Sequence, residues 1–330
     1  MRFGPVPVAE AEGAILAHAT VAGAGDATYR IGKGTRLEAS HVADLQAQGL
    51  GEVIVARLEP GDLHEDDAAN RIAGALAGPG LQVGRAATGR VNLRAEGPGI
   101  VNVDAEAIDA VNRINPAITV ATVAEWARLG PRGLAVTVKI IPFAVPDEDV
   151  ARACAVGAGA VALRAPVYTS ASLIETQVPG ERLSEKGRGS VAGRLERLSV
   201  DLTERVVVAH RSEAIAAALA EAPGEVLMIL TGSATSDAQD VAPSAVRAAG
   251  GEVLHYGMPV DPGNLLFLGR IGERPVIGLP GCARSPALNG ADWVMERVIC
   301  GLPLEEIDIP GMGVGGLLKE IPTRPRPREG

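Results

Sequence analysis

The sequence predicts an α/β fold with a doubly wound, mostly parallel sheet, preceded by smaller α+β sections. The first observation is that short apolar runs alternate with helix-like segments between residues 160 and 305, which is typical of β-α-β units. The second is that two of those runs, "ERVVVAH" and "EVLMIL", are continuously apolar, as expected for buried parallel strands. The third is a composition of 47% hydrophobic and 22% charged residues, which can supply a sizeable core.

The chain is predicted to divide into four segments. Its 330 residues correspond to two or three domains at about 150 residues each. We expect an N-terminal α+β segment over residues 1–80, a second α+β segment over 81–159, an α/β domain over 160–305 and a tail over 306–330. The end of the tail, "KEIPTRPRPREG", is rich in Pro and Arg, as in disordered or loosely docked segments.

The first segment is predicted to form a strand, a glycine turn, a helix and a second strand in "ATYRIGKGTRLEASHVADLQAQGLGEVIVARL". Ser40 is the candidate N-cap of the helix, and Val42, Leu45 and Leu50 are candidate inward positions. An acidic loop that leads into another helix follows in "EPGDLHEDDAANRIAGALAG".

The second segment mixes short strands with a helix around "AEAIDAVNRI". Val136, Val138 and Ile140 alternate with polar Thr137 and Lys139, which is a strand pattern. "DEDVARACAVGAG" then indicates a helix that ends in glycine.

The third segment carries most of the predicted sheet. "AVALRAPVYTS" is a candidate strand, "LIETQVPGERLSEKGRG" a loop and "SVAGRLERL" a helix. The strand "ERVVVAH", a helix "SEAIAAALAEA" with Ser212 at its cap, and the strand "EVLMILTG" follow. Further strands are expected in "GEVLHYGMPV", "NLLFLGRIG" and "RPVIGLPG", and a closing helix in "ADWVMERVICG".

Composition excludes several classes of function. A net charge of −9 and a pI of about 5.2 disfavour general nucleic-acid binding, because an acidic surface repels a polyphosphate. Aromatic residues make up 2%, so a ligand must be held mainly by backbone and polar groups. The N-terminus lacks the apolar core of a signal peptide, and no apolar run approaches the ~18 residues of a membrane span. The three cysteines are widely spaced without a CxxC pair, which fits a cytoplasmic protein.

A loop of small and hydroxyl residues, "TGSATSDAQDVAP", follows the run "EVLMIL" and precedes a helix-like run. In open α/β sheets, ligands sit beyond the carboxyl ends of strands, where backbone N–H groups and a helix N-terminus favour anions. The alternative is a tight turn in which Ser or Asp caps the helix. No Gly-Lys-Ser/Thr follows, so this is not a Walker loop. The candidate anion contacts are Thr231, Gly232, Ser233, Ala234, Thr235 and Ser236.

Two carboxylates, Asp237 and Asp240, stand in that loop. A carboxylate beside a phosphate repels it unless a divalent cation lies between them. Asp240 is therefore either a Mg²⁺ ligand or a helix cap. Asp237 has the same two alternatives, with capping favoured.

Two further loops follow apolar runs and add candidates. "DPGN" is a strong turn signal, with the turn between two strands as the plain alternative. "GLPGCARSP" adds a forked cation, Arg284, suited to phosphate, and a thiol, Cys282, that is a weak nucleophile candidate beside a packing role. The candidate contacts in these loops are Pro262, Gly263, Asn264, Pro280, Gly281, Cys282, Arg284 and Ser285.

A local basic patch, Lys186, Arg188 and Arg194, stands in "SEKGRGSVAGR". A solvated face is the default interpretation of such a patch. The glycines between the cations favour contact with an anion, and Lys186 is the candidate that we assign to the ligand.

Together these motifs resemble the molybdopterin-binding domain family (MogA- and MoeA-like) of molybdenum cofactor biosynthesis. Its loop G-G-x-[GS]-x-x-x-x-D matches with Gly232 first and Asp240 last, and "PGN" and "GLPG" follow in the expected order. "DPGNLL" and "PGCARSP" resemble a subgroup that is often fused to a MobA-like nucleotidyltransferase, whose L-x-G-G-x-S-x-R-M-G signature is absent here. The first section is also similar to an extra segment of MoeA-like chains.

The resemblance implies a molybdopterin ligand with its phosphate on residues 231–236 and with 262–264 and 281–285 as facing walls. It implies that Asp240 is the catalytic and Mg²⁺-binding residue if ATP or CTP also binds, with Arg284 and Lys186 as cationic helpers. The family reactions are adenylylation of the pterin phosphate and molybdate insertion. The implied partners are a nucleotidyltransferase or a molybdoenzyme, and further copies of the chain in a homo-oligomer.

The departures from the family pattern keep other functions open. Ser233 replaces the second glycine, Asp237 stands where a small residue is usual, and Asp261 replaces the lysine of K-P-G. These changes favour a non-catalytic carrier or regulatory module as the alternative. A CinA-like phosphoester enzyme on the same fold is a third possibility. A dinucleotide dehydrogenase is the least supported, because no G-x-G-x-x-G stands between an early strand and helix.

Overall fold

A computed structural model describes residues 1–180 and 184–318 of the chain. The sequence "KEIPTRPRPREG", predicted as the end of a disordered tail, lies outside the described residues. The chain forms two compact units: residues 1–96 with 101–163, and residues 97–100 with 164–330.

The chain up to Arg164 consists of short strands with four helices between them. The helices are α1 (Ala39–Ala47), α2 (Glu65–Leu76), α3 (Ala105–Ile114) and α4 (Asp147–Val156). The strands are β1 (Arg2–Pro7), β2 (Ile15–Leu16), β3 (Thr20–Ala22), β4 (Tyr29–Ile31), β5 (Glu52–Arg57), β6 (Asp62–His64), β7 (Leu81–Val83), β8 (Arg90–Ala95), β9 (Gly99–Val103), β10 (Ile118–Thr122), β11 (Arg128–Leu129), β12 (Leu134–Ile140), β13 (Ala144–Pro146) and β14 (Val161–Arg164).

These strands form small sheets rather than one large one. The orders are β1-β5-β2, β3-β4, β10-β12-β8-β7, β11-β9-β14 and β13-β6. The predicted alternation in β12 is confirmed, because Val136, Val138 and Ile140 are buried while Thr137 and Lys139 are half-buried. The helix α2 packs an apolar stripe, including Ile72 and Leu76, into the same core, as expected of an amphipathic helix.

The chain after Arg164 forms the predicted α/β part. Its strands are β15 (Ser170–Gln177), β16 (Asp201–Leu202), β17 (Val206–Ala209), β18 (Val226–Leu230), β19 (Glu252–Tyr256), β20 (Phe267–Ile271) and β21 (Arg274–Leu279). Its helices are α5 (Glu185–Glu196), α6 (Ser212–Glu221), α7 (Val241–Ala248) and α8 (Gly290–Ile299).

One sheet of seven strands organises this unit, and it is mostly parallel, as predicted. β15 pairs in parallel with β16, β17 and β18, and β18 pairs in parallel with β21. β21, β20 and β19 complete the order with antiparallel pairings, because β20 and β21 form a hairpin.

Helices cover the two faces of the sheet because every buried strand residue must find an apolar neighbour. On one face Ile229 of β18 packs with Ile215 of α6 and Val246 of α7. The next residue along the strand, Leu230, points to the opposite face, where it lies close to Gly187 of α5. This two-sided burial explains why β18 reads as a continuous apolar run.

Several local expectations differ from the structure. The predicted loop "LIETQVPGERLSEKGRG" contains the end of β15 and the start of α5. The strand was not predicted there because Glu175 and Thr176 are polar residues, although both are buried. β17 is parallel as expected, but it is an edge strand with Val207 exposed. The N-caps of α1 and α6 are Glu38 and Arg211 rather than the serines that follow them.

Within the described residues, no helix is both long enough and apolar enough to cross a membrane.

Candidate functional site

Three parallel strands of the second unit end at the same edge of the sheet. Glu175 of β15 lies beside Leu230 of β18, which in turn lies beside Leu279 of β21. The loops that follow these strands therefore start side by side, where open α/β sheets bind their ligands. All the predicted site residues stand in these loops, in the turn before β20 or at the start of α5.

Buried polar side chains are concentrated in this part of the chain. Among the described residues, those that are buried are Ser172, Glu175, Thr176, Arg194, Thr231, Thr235, Asn289 and Asp292. Because a buried polar group needs partners, such a concentration indicates loops held by side-chain hydrogen bonds.

The N-terminal end of helix α5 packs closely against β18 and against the loop that follows β21. Ser184 caps it by accepting a hydrogen bond from the backbone N–H of Lys186 at 3.2 Å. A Cβ added to Gly187 would lie 2.9 Å from Leu230 Cδ2 and 3.3 Å from Arg284 Cγ. Glycine thus allows α5 to approach both neighbours.

The loop after β21 is tied to the middle of α5 by one buried guanidinium. Arg194 donates to the carbonyl oxygens of Ala283, Ser285 and Ala287 at 3.0, 2.8 and 2.9 Å. It also donates from Nε to Asp292 at 2.7 Å. Asp292 in turn accepts from the backbone N–H of Asn289, which caps α8. Arg194, predicted as part of a basic patch, is therefore committed to shaping this loop.

Arg284 connects the loop after β21, in which it stands, to the end of β18 and to α5. Its guanidinium donates to the carbonyl of Thr231, at the end of β18, at 2.6 Å. Its own carbonyl accepts from the hydroxyl of Ser190 on α5 at 2.8 Å. The cation predicted for phosphate binding is thus held in place by its backbone and by part of its side chain.

A cavity of about 760 Å³ lies between the start of α5 and the loop after β21. Such a volume is within the ~300–1,000 Å³ of small-molecule sites. Its lining residues are Ser184, Lys186, Gly187, Gly189, Ser190, Gly281, Cys282, Arg284, Ser285 and Pro286. They include two cations and no carboxylate, in a chain with a net charge of −9. The cavity is therefore a locally positive site.

The sequence predicted half of this lining and missed the other half. Lys186, Gly281, Cys282, Arg284 and Ser285 were candidates, and the structure brings them together. The residues not predicted are Ser184, Gly187, Gly189, Ser190 and Pro286. For Ser184, Gly187 and Gly189 the available signal was the glycine spacing in "SEKGRG", a stretch predicted as a loop although it forms the N-cap and first turn of α5.

The loop after β18 is tightly bonded to its neighbours. Gly232 donates its N–H to the hydroxyl of Thr176 at 2.7 Å, and that hydroxyl lies 2.9 Å from Nδ1 of His210. Tyr256 donates to the carbonyl of Thr235 at 3.0 Å. The candidates from Thr231 to Ser236 thus border the same sheet edge, yet they do not line the cavity of about 760 Å³.

Asp240 acts as the N-cap of α7. Its two carboxylate oxygens accept the backbone N–H groups of Ser236 at 2.9 Å and Val241 at 2.7 Å. These bonds, that from Ser236 foremost, hold the pKa of Asp240 below its ordinary value. Asp237 accepts from the N–H of Gln239 at 2.7 Å. Asp240 thus shows the capping geometry that was one of its two alternatives. Asp237 instead bonds within the loop, because Gln239 precedes α7.

The "DPGN" turn supports the start of α8. The carbonyl of Pro262 accepts from the N–H of Gly290 at 2.8 Å, and Asn264 donates to the carbonyl of Met258 at 3.3 Å. A Cβ on Gly263, whose φ is +147°, would lie 2.8 Å from the nitrogen of Gly290. Like Pro280, these residues are not among those that line the cavity, and their predicted ligand contacts stay predictions.

The cysteines occupy three different environments and form no disulfide. Cys282 is half-buried at the cavity. Burial raises the pKa of the Cys154 thiol, and it raises that of the Cys300 thiol to about 12. Both of these thiols are therefore poor nucleophiles at neutral pH.

Fold and cavity define a class: an α/β protein with a cavity of small-molecule size at the carboxyl edge of a mostly parallel sheet. Residues 168–298, which contain the strands and loops of this site, match the family described as a probable molybdopterin binding domain. This match agrees with the resemblance that the sequence motifs indicated. Residues 5–57 match a family described as a domain of unknown function (DUF8806).

No curated protein matches the chain significantly. Solved structures that match include a molybdopterin biosynthesis MoeA protein from Pyrococcus horikosii, with 15% identity, a TM-score of 0.29, and coverage of 92% of this chain and 74% of that one. Another is a molybdopterin biosynthesis MoeA protein from Pyrococcus horikoshii OT3, with 13% identity, a TM-score of 0.20, and coverage of 84% and 69%. Both TM-scores are below 0.5, so neither match bears on the function of this chain.

Proposed function

We propose that this chain binds molybdopterin and acts in the synthesis or handling of the molybdenum cofactor. The proposal rests on one observation: within the segment that matches a probable molybdopterin binding domain, a cavity lined by Lys186 and Arg284 opens at the sheet edge. Both cations suit the phosphate of the pterin, and an anion near a helix N-terminus is further stabilised.

In this proposal the phosphate lies between Lys186 and Arg284. Arg284 keeps a part of its fork for the ligand, since one of its nitrogens already donates to the carbonyl of Thr231. Ser190 and Ser285 add hydroxyl groups to the lining. The pterin would extend along the sheet edge towards residues 231–236 and 262–264, which remain its proposed further contacts.

The low aromatic content shapes how the pterin can be held. With aromatic residues at 2% of the chain and none in the cavity lining, stacking cannot dominate. Backbone groups, hydroxyls and the two cations must then supply orientation and affinity. Binding should accordingly weaken as ionic strength rises.

The proposal is tested by titrating the full chain with molybdopterin released anaerobically from a molybdoenzyme. Binding at micromolar concentration is expected, and its absence would remove the proposal. Lys186→Ala should weaken binding about tenfold or more, which corresponds to ~1.4 kcal/mol. Arg197→Ala is the matched control, because it removes the same charge from an exposed position at the opposite end of α5.

The enzymatic form of the function is adenylylation, in which an oxygen of the pterin phosphate attacks the α-phosphate of ATP and pyrophosphate leaves. The second form of the function is a carrier that binds the pterin without turnover. This form is favoured by Asp237, which stands in the loop where the family pattern usually has a small residue. Incubation of the bound pterin with ATP or CTP and Mg²⁺ separates the two. Release of pyrophosphate supports the enzyme, and its absence supports the carrier.

A further inference from the structure

We propose that the cavity takes its phosphate monoester directly on cationic side chains, without a divalent cation between ligand and protein. This inference rests on the proposed function and concerns its ligand class. The resemblance in sequence implied Mg²⁺ at Asp240, so the donor groups around that residue decide whether such an ion fits.

The carboxylate that the resemblance assigned to Mg²⁺ already accepts hydrogen bonds from the backbone. Mg²⁺ in phosphate sites is held by one or two carboxylates, the phosphate and several waters in near-octahedral geometry. Both oxygens of Asp240 are turned to backbone N–H groups at 2.9 and 2.7 Å. Binding an ion there would compete with the cap of α7.

The cavity itself supplies charge of the opposite kind. Its lining contains two cations and no carboxylate, so it offers no anionic anchor for Mg²⁺. A phosphate monoester carries about −1.5 to −2 charges at pH 7, as phosphorylated side chains do. Lys186 and Arg284 together balance this charge. A metal would add positive charge to a site that is already positive.

The ligand class follows from this balance. A monoester such as the pterin phosphate reaches the cavity as a dianion and gains two charge-assisted contacts. The cavity therefore suits a phosphate monoester that arrives without a metal ion.

The test compares the affinity for molybdopterin in excess EDTA and in millimolar MgCl₂. The dissociation constants should agree within about twofold, far less than the ~1.4 kcal/mol of a tenfold change. Tightening by about tenfold or more in MgCl₂ overturns the inference, most sharply if Asp240→Asn abolishes the Mg²⁺ effect. The proposed function survives that outcome, because the pterin still binds.

Inorganic phosphate provides a probe that does not depend on the pterin. Cys282 lines the cavity, so an anion bound there should slow its alkylation. Slowing by phosphate in EDTA, lost in Lys186→Ala and retained in Arg197→Ala, supports the inference even if molybdopterin fails to bind. Slowing that requires Mg²⁺, or no slowing in either buffer, overturns it. Failure of molybdopterin alone overturns only the proposed function.

Discussion

Arg194 Nε lies 2.7 Å from Asp292 Oδ1 in an ion pair whose side chains are only 3% and 5% exposed. The same guanidinium gathers three carbonyls of the loop that follows β21. Removing one partner of such a pair leaves the other charge buried without compensation. The pair therefore fixes the loop that carries Arg284 and Cys282.

Arg194→Met should lower the free energy of unfolding by about 3–5 kcal/mol, because Asp292 would be left buried without its partner. Arg113→Met is the control, since Arg113 pairs with Asp109 at 3.1 Å on the surface and such pairs contribute less than about 1 kcal/mol. Urea denaturation followed by circular dichroism measures both. Equal losses in the two variants would contradict the role assigned to Arg194.

Gly187 and Gly189 lie on the same helix and line the same cavity, but only Gly187 faces close neighbours. Gly189→Ala should stabilise the chain by about 0.5–1 kcal/mol, because alanine loses less backbone entropy in a helix. In Gly187→Ala the added methyl group should crowd Leu230 and Arg284, and this overpacking should cancel the gain in stability. Because Arg284 would be displaced, ligand binding should also weaken. Melting temperatures and pterin titrations test this. Identical behaviour of the two variants would show that Gly187 is not a close contact.

Thr176→Val should destabilise the chain by about 1–3 kcal/mol, because the N–H of Gly232 loses its acceptor in a partly buried place. Thr176→Ser keeps the hydroxyl and serves as the control. We expect serine to retain pterin affinity and valine to lose it, since the loop after β18 would shift. The result is read from paired titrations, and equal affinity in both would exclude coupling between this bond and the site.

The cap at Asp240 predicts a pH dependence of stability. Its pKa is lowered in the folded chain, so its contribution is fully present above the ordinary aspartate pKa of about 3.9 and is lost as pH falls through the folded value. Asp240→Ala should cost about 1 kcal/mol at pH 7, as for other N-caps. The difference between wild type and variant should shrink as the solution is acidified below pH 4. A stability difference that stays constant down to pH 2 would contradict this role of the Asp240 carboxylate.

The cysteines should differ in reactivity with iodoacetamide. With a pKa of about 12, Cys300 is deprotonated in on the order of 10⁻⁴ of molecules at pH 8, and it is buried. Cys282 is half-buried at the cavity and should be alkylated first. Peptide mass spectrometry at timed intervals identifies the modified residue, with Cys282→Ser as the control. Faster modification of Cys300 would contradict its burial.

The sequence by itself determined the class of the second unit and the position of its loops. The continuous apolar run of β18 indicated a buried strand, and the small residues after it marked the carboxyl end of that strand. The motifs around Gly232 and Asp240 were enough to indicate the family that residues 168–298 match. Lys186 and Arg284 were likewise candidates from chemistry alone.

The tertiary structure decided which candidates share a cavity and which support it. Arg194 and Lys186 look alike in "SEKGRGSVAGR", but Arg194 lies two turns further along α5 and is buried against Asp292, which stands 98 residues later. The end of β15 was not predicted because Glu175 is a charged residue in a buried strand. Its charge is paired there with Arg205, which stands thirty positions later in the sequence. Sequence patterns report local periodicity and residue chemistry. A buried charge is explained only by a partner that the fold brings from a distance, and no local pattern contains that partner.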